Sequence, residues 1–431
     1  MRTFNHEFSP GTRVYWNQTN QFKTVVSSAV MRFQYRPGME EVYALLAYLL
    51  SSATEQHPTS RDFSAHRERC YGAKVHVIPR RLGQYQTFTF QVEVIDGAFL
   101  GKADELIRIM FDLLSEIMYQ PLLNLKGTLF EEHFFREKRA AYAQILQSYE
   151  NEKENYAALH LRDYLPVGHP LSNLGVGTPE GVLRVTNRQA WSAYRELLDV
   201  PYDIFVVGNV RAQQLLTIIP SQFHFVNHSF ETSVNDPLPE IPFQEIIEPH
   251  AFTQSHLLMV YRFPVLRGSQ QQAAAMTFSF LFGGGPRSLL FRELREERGL
   301  CYAVASDYFP TNGAIIVNAS IDSTNYHETL KAIADQIQVI QKGDFSEEDL
   351  RAIKKMMMDS LQRSFDRPGM QLGVLISQVL DTAYVPPQEL QHMVHLVDRK
   401  SIAECAQQLQ LQMTYFIKQG GANHEPESST K

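Results

Sequence analysis

Two histidine pairs are the first residues whose type and spacing could do chemistry: His224 and His228 lie four apart, and His392 and His395 three apart. On a helix either spacing stacks both rings on one face, the minimum that a zinc site asks for. A hydrolytic zinc also needs a third ligand and a carboxylate able to act as base, and neither pair has a carboxylate between its members. Both pairs therefore read as surface or cap histidines. The adjacent acids Glu131-Glu132 and Glu347-Glu348 read as solvated helix charges. The run Gly283-Gly284-Gly285 lacks the Lys-Ser/Thr of a phosphate loop and reads as a flexible glycine turn between two helices. No G-x-S-x-G nucleophile turn occurs. Cys70, Cys301 and Cys405 are too scattered for a thiolate zinc site or a disulfide framework, which fits a reducing cytoplasm. No metal and no cofactor are expected.

The composition says what such a chain can and cannot meet. With 431 residues, two cores are expected rather than one. Apolar residues at 44% and charged ones at 20% describe an ordinary globular protein with ample core material. A formal charge of -7 without a Lys/Arg-rich run excludes nucleic acid and anionic membranes as main partners. No apolar run reaches the roughly 18 residues of a membrane span, and the first residues lack the apolar stretch of a secretory signal. A cytoplasmic protein is expected.

The elements that must position any site come in an order that occurs twice. Residues 25–35 alternate, with Val25, Ala29, Met31, Phe33 and Tyr35 on one face of a half-buried strand. A helix over 40–53 follows, apolar nearly all round, and a second opens at Thr59 with Asp62 three residues on. Two strands come next, the second with Phe88, Phe90, Val92 and Val94 on one face, and then helices over about 106–117 and 129–149. From His256 the order returns: a strand over 257–263, helices over 271–282 and 287–298, strands over 302–309 and 314–321, and helices over about 326–341 and 347–363. Each half closes with a strand ending in glycine, 203–207 before Gly208 and 413–417 before Gly420. The boundaries read as a first domain over 1–220, a Pro/Asn-rich linker over 221–250, a second domain over 251–419 and a disordered tail over 420–431.

Three stretches carry a specific resemblance. His169-Pro170-Leu171 followed by Gly175-Val176-Gly177-Thr178-Pro179-Glu180, the strand Phe205-Val206-Val207-Gly208, and the segment from Phe282-Gly283-Gly284-Gly285 through Arg295-Glu296-Glu297-Arg298-Gly299-Leu300-Cys301-Tyr302 are together similar to the inverzincin peptidases. That family includes pitrilysin, insulysin and the subunits of the mitochondrial processing peptidase. The resemblance covers about residues 10 to 418. It implies an α+β fold of two homologous domains, each a mostly antiparallel sheet with helices packed on one face, the LuxS/MPP-like arrangement.

The family's chemistry needs H-x-x-E-H on the first helix, and a later glutamate, around an open zinc position. Aligned through Pro58, this chain has Ala44 and Tyr48 where the histidines belong, Ala47 in place of the base, and Gln144 at the third ligand, a neutral amide that binds zinc poorly. The metal site is degenerate and the chain is expected to be non-catalytic. By the same resemblance Arg295 and Tyr302 correspond to residues that hold a substrate's backbone carbonyls in the opposite half's site. From spacing alone Arg295 would belong to a salt-laced face, since Arg292 and Glu296 lie i, i+4. The resemblance implies a non-catalytic, substrate-binding subunit whose partner is a zinc-bearing homologous peptidase, with a peptide as substrate. The alternative is a free-standing peptide-binding or scaffold protein.

Overall fold

A computed structural model describes residues 3–9, 11–172, 176–228 and 233–420. The chain divides into two units, each assembled from three stretches. Unit 1 takes Met1–Ser148, Asn173–Val234 and Gln362–Thr382; unit 2 takes Tyr149–Ser172, Asn235–Leu361 and Ala383–Lys431. The division read from the sequence follows chain order at 220 and 250, whereas the units exchange segments across it. The expected tail lies outside the described residues apart from Gly420.

Unit 1 is organised on six strands: β1 (Thr3–Ser9), β2 (Thr12–Gln18), β3 (Thr24–Gln34), β4 (Lys74–Leu82), β5 (Tyr85–Ile95) and β6 (Tyr202–Gly208), in the spatial order β1-β2-β6-β3-β5-β4. All neighbours are antiparallel except β2 and β6. Unit 2 has five: β7 (Gln244–His250), β8 (Ser255–Arg262), β9 (Cys301–Phe309), β10 (Ala314–Ile321) and β11 (Gln410–Gln419), in the order β7-β11-β8-β10-β9. Here too a single pair, β7 and β11, is parallel. Replacing β2, β6, β3, β5 and β4 by β7, β11, β8, β10 and β9 maps one sheet onto the other, so the duplication extends to strand pairing. It also corrects one boundary: β7, the counterpart of β2, lies inside the stretch read as linker. Its Gln-Glu-Ile-Ile-Glu-Pro-His sequence is half exposed throughout, as an edge strand with Pro249 near its end should be.

Alternation along the strands sends side chains into two layers in each unit. In β3, Val25, Ala29 and Met31 join the core under α1 (Glu40–Leu50), with Leu45, Leu46 and Leu49. The opposite face of β3 is buried as well. Val26 and Val30 pack with Phe205, Val207, Leu372, Leu375 and Leu380, the last three from the Pro368–Leu380 helix. Burying a Val or Phe side chain stabilises by about 1.5–3 kcal/mol, so this second layer is a substantial part of the unit's stability. The strand expected to be half-buried is thus buried on both faces, because a distant segment covers it. Unit 2 repeats the device: Leu258, Val260, Ile316 and Tyr415 pack with Ala157 and Leu161 from the Lys153–Leu161 helix.

Candidate functional site

The first helix of unit 1 carries the residues aligned with a zinc site. Two carboxylates in its first turn, Glu40 and Glu41, suit the positive end of the helix dipole. Ala44 and Ala47 are buried, at 3% and 4% exposure. Tyr48, half-buried, stacks on Tyr142 of α4, the helix Glu132–Glu150, with ring centroids 5.2 Å apart. Tyr142 in turn donates its hydroxyl to the Val176 carbonyl at 3.1 Å. Gln144 of α4 is exposed to solvent. The positions that would hold a metal therefore offer two methyl groups, a phenol already engaged in an aromatic stack and an uncharged amide. None is a divalent-metal ligand of the carboxylate or imidazole type.

The loop bearing the Gly-Thr-Pro-Glu motif buttresses this helix. Thr178 caps the Pro179–Arg184 helix by accepting from the Gly181 N–H at 3.0 Å. Gly177, at φ +75°, lies against Glu41, where any Cβ would come within 2.7 Å of the Glu41 side chain. His169 folds with unit 2, its Nε2 3.1 Å from the Asp236 carbonyl, while Gly175 is outside the described residues.

Unit 2 presents the segment with Arg295 and Tyr302. The stretch expected as an ordinary helix over 287–298 winds as a π-helix over Phe291–Glu297, with the Arg298 N–H reaching five residues back to the Glu293 carbonyl at 3.1 Å. Such widened turns are rare and concentrate at functional sites. The turn sorts its three arginines. Arg292 pairs with Asp349 at 3.1 Å rather than with Glu296, and Arg298 pairs with Glu293 at 2.6 Å. Arg295 is exposed and makes no ion pair among the described residues; its guanidinium lies over the Phe291 ring at 4.9 Å. Burial pushes the neighbouring Cys301 thiol up to about 11, an effect that the Arg295 charge opposes. Tyr302 opens the edge strand β9 and is 63% exposed, unusual for a large aromatic side chain.

The glycine run has a steric role. Gly283 ends the Gln272–Gly283 helix where a Cβ would lie 2.6 Å from the Ser306 nitrogen of β9, and a Cβ on Gly284 would lie 2.5 Å from Phe280 Cα. Only Gly285, at φ +136°, uses the backbone freedom that the sequence reading assigned to all three. Between this run and β9 is a cavity of about 550 Å³, lined by Phe280, Gly284, Ala305 and Asp307. Desolvation there raises the Asp307 carboxyl above its ordinary range.

The two histidine pairs fare differently. His392 and His395 are exposed on the Pro387–Leu396 helix. His224 and His228 are not on a helix; His228 meets Asp203 at 3.4 Å and Thr12 Oγ1 at 2.8 Å. Glu131 accepts the His133 and Phe134 N–H groups at 3.0 and 2.7 Å, which hold its carboxyl below the usual range. Sequence reasoning missed another cluster, His57, His66 and Glu116, whose donor atoms all lie within 4.8 Å of one another. Its members come from three separate elements, so no linear spacing announces it.

Comparison with known proteins bears on the fold and on the kind of relative this chain has. Residues 202–357 match the peptidase M16 inactive domain. The probable inactive metalloprotease YmfF of Bacillus subtilis is 25% identical over 403 residues, covering 93% of this chain and 94% of that protein. Among solved structures, a conserved protein from Enterococcus faecalis has a TM-score of 0.86 at 21% identity, covering 98% of this chain and 99% of that one. A peptidase M16 inactive domain from Pseudomonas fluorescens has a TM-score of 0.77 at 14% identity, with 98% and 99% covered. The chain is therefore similar, over nearly its whole length, to a probable inactive metalloprotease, and over residues 202–357 to the inactive domain of M16 peptidases. No helix among the described residues is long and apolar enough to cross a membrane.

Proposed function

We propose that this protein is the non-catalytic, substrate-binding subunit of a heterodimeric, cytoplasmic peptide-processing peptidase, its partner a zinc-bearing homologue. The observation that carries this reading is the contrast within one turn. Arg292 and Arg298 are committed to ion pairs, whereas Arg295 is exposed and has none among the described residues beside a π-helical turn, with Tyr302 exposed at the start of β9. An unpaired guanidinium and a phenol are donors suited to a peptide carbonyl whose oxygen gains charge as it is attacked. The aligned positions Ala44, Ala47, Tyr48 and Gln144 offer neither metal ligands nor a base for that attack, and this supports a reading in which the reacting centre comes from another polypeptide.

Mixing this chain with its zinc-bearing homologue from the same source should give a species near twice 49.4 kDa on size exclusion, together with a gain in peptidase activity. Separate elution at micromolar concentration with no gain in activity overturns the reading and leaves a peptide-binding scaffold.

A further inference from the structure

The turn after α1 carries His57, whose Nδ1 lies 2.8 Å from Glu116 Oε1 on α3 (Ala103–Tyr119). The His57 ring stacks on that of His66, with centroids 4.0 Å apart. His66 belongs to α2 (Ser60–Arg69), and Cys70 follows it by four residues, so ring and thiol share a face, Sγ 3.7 Å from Nε2. These are side chains of metal-binding type drawn from a turn and two helices. Glu116 is 6% exposed, and Thr54, fully buried, donates its hydroxyl to Glu116 Oε1. That is the kind of outer contact that orients a carboxylate ligand.

We propose that His57, His66 and Glu116, with Cys70 as fourth donor, form a zinc-class divalent-metal site that ties the α1–α2 turn to α3.

The donor chemistry selects the ion. Two imidazoles, a carboxylate and a thiolate make the mixed N/O/S four-coordinate set that suits zinc, whereas magnesium and calcium ask for oxygens. Tetrahedral geometry at zinc needs donor atoms about 3.3–3.8 Å apart, so the atoms of His57, His66 and Glu116, now within 4.8 Å, have roughly 1 Å to close, and Cys70 Sγ, 3.7 Å from His66 Nε2, must turn in to join them. Charge also balances: neutral imidazoles, one carboxylate and one thiolate cancel a divalent cation, which a mostly buried site requires. On binding, the Cys70 thiol proton leaves to solvent and the His57 proton moves from the ligating nitrogen to the other ring nitrogen. Entry is open through a cavity of about 690 Å³ lined by His66, Cys70, Asp112, Glu116 and Tyr119. The site is closed by its four donors, so its role is structural, and it is separate from the degenerate positions on α1 and α4.

The test uses the full-length, metal-free chain alone and is therefore independent of the partner reading. Titration with cobalt(II) should give one ion per chain, with the intense visible bands of four-coordinate geometry and a thiolate charge-transfer band in the near ultraviolet. Equimolar zinc(II) should displace both and raise the melting temperature. Cys70→Ser should remove the charge-transfer band, and His66→Gln and Glu116→Gln should each weaken cobalt binding by about tenfold or more. A six-coordinate spectrum in the wild type, or no rise in melting temperature with zinc, overturns the proposal without recourse to any variant. Unchanged affinity in a folded His66→Gln variant overturns it equally, because the metal is then held elsewhere, as at the exposed His392 and His395.

Discussion

The two sheets have the same strand order, yet the corresponding surfaces have been treated in opposite ways. In unit 1 the helix positions aligned with a zinc site carry buried Ala44 and Ala47 and a Tyr48 stacked on Tyr142. In unit 2 the turn beside the sheet presents an exposed Arg295 with no ion pair among the described residues and an exposed Tyr302. Relaxed surfaces fill with apolar contacts, because burial stabilises and nothing opposes it. A surface that stays polar and exposed is the one on which the proposed substrate contact rests, and that difference is what the following experiments probe.

The largest effect expected is on turnover. In the mixed complex, Arg295→Ala should lower kcat roughly a hundredfold to a thousandfold, the usual cost of a lost oxyanion donor, and Tyr302→Phe should act in the same direction. Partner binding on size exclusion should be unchanged in both. If Arg292→Ala and Arg298→Ala do the same damage, the distinction drawn within the turn collapses.

Stability should respond more in the filled surface. Ala47→Glu places a carboxylate at a 4% exposed position with no partner and should cost about 3 kcal/mol or more in urea denaturation. A variant as stable as wild type would mean that the old ligand surface is still open to water.

A third comparison uses pH. Burial lowers the pKa of His256 on β8 to about 4, against an ordinary 6.5, so the folded state binds fewer protons than the unfolded one between those values. Its contribution to stability is fully present above pH 6.5 and is lost as pH falls towards 4. At 1.36 kcal/mol per unit the loss approaches about 3 kcal/mol as an upper bound. His256→Gln should flatten the stability profile over that window; an unchanged slope assigns the acid sensitivity to other groups.

Glycines give the smallest effects and the opposite signs. Gly283→Ala meets the Ser306 backbone and should destabilise by about 1–3 kcal/mol. Gly373→Ala, inside the Pro368–Leu380 helix with nothing within 4 Å of the new Cβ, should stabilise by about 0.5–1 kcal/mol. Thermal melts of the two variants suffice.

Much of this architecture was legible because local rules agreed with tertiary ones. The alternation of Phe88, Phe90, Val92 and Val94, and the cap at Thr59, act within a few residues and appear where expected. What escaped depends on distance in the chain. The second buried face of β3 cannot be read without Leu372 and Leu375, and β7 is too polar to announce itself until β11 pairs with it. At the site, residue types told which groups are missing, since absence of a ligand needs no coordinates. The π-helical turn and the sorting of its arginines depend on Asp349 and on backbone hydrogen bonds that spacing rules do not contain. For the same reason the cluster of His57, His66 and Glu116 was invisible in one dimension.

The exchanged helices bear on the order in which a ribosome delivers the chain. Strands β1 to β6 have all emerged by Gly208, but one apolar face of that sheet, with Val26, Val30, Phe205 and Val207, waits for residues 368–380 to be made. At about 5–20 residues per second, the interval between Gly208 and Leu380 is on the order of ten to thirty seconds. Throughout it the first-made sheet is a sticky intermediate rather than a finished body, a client for a holding chaperone. Premature termination anywhere before residue 368 should yield an aggregating fragment even though a whole sheet has been synthesised.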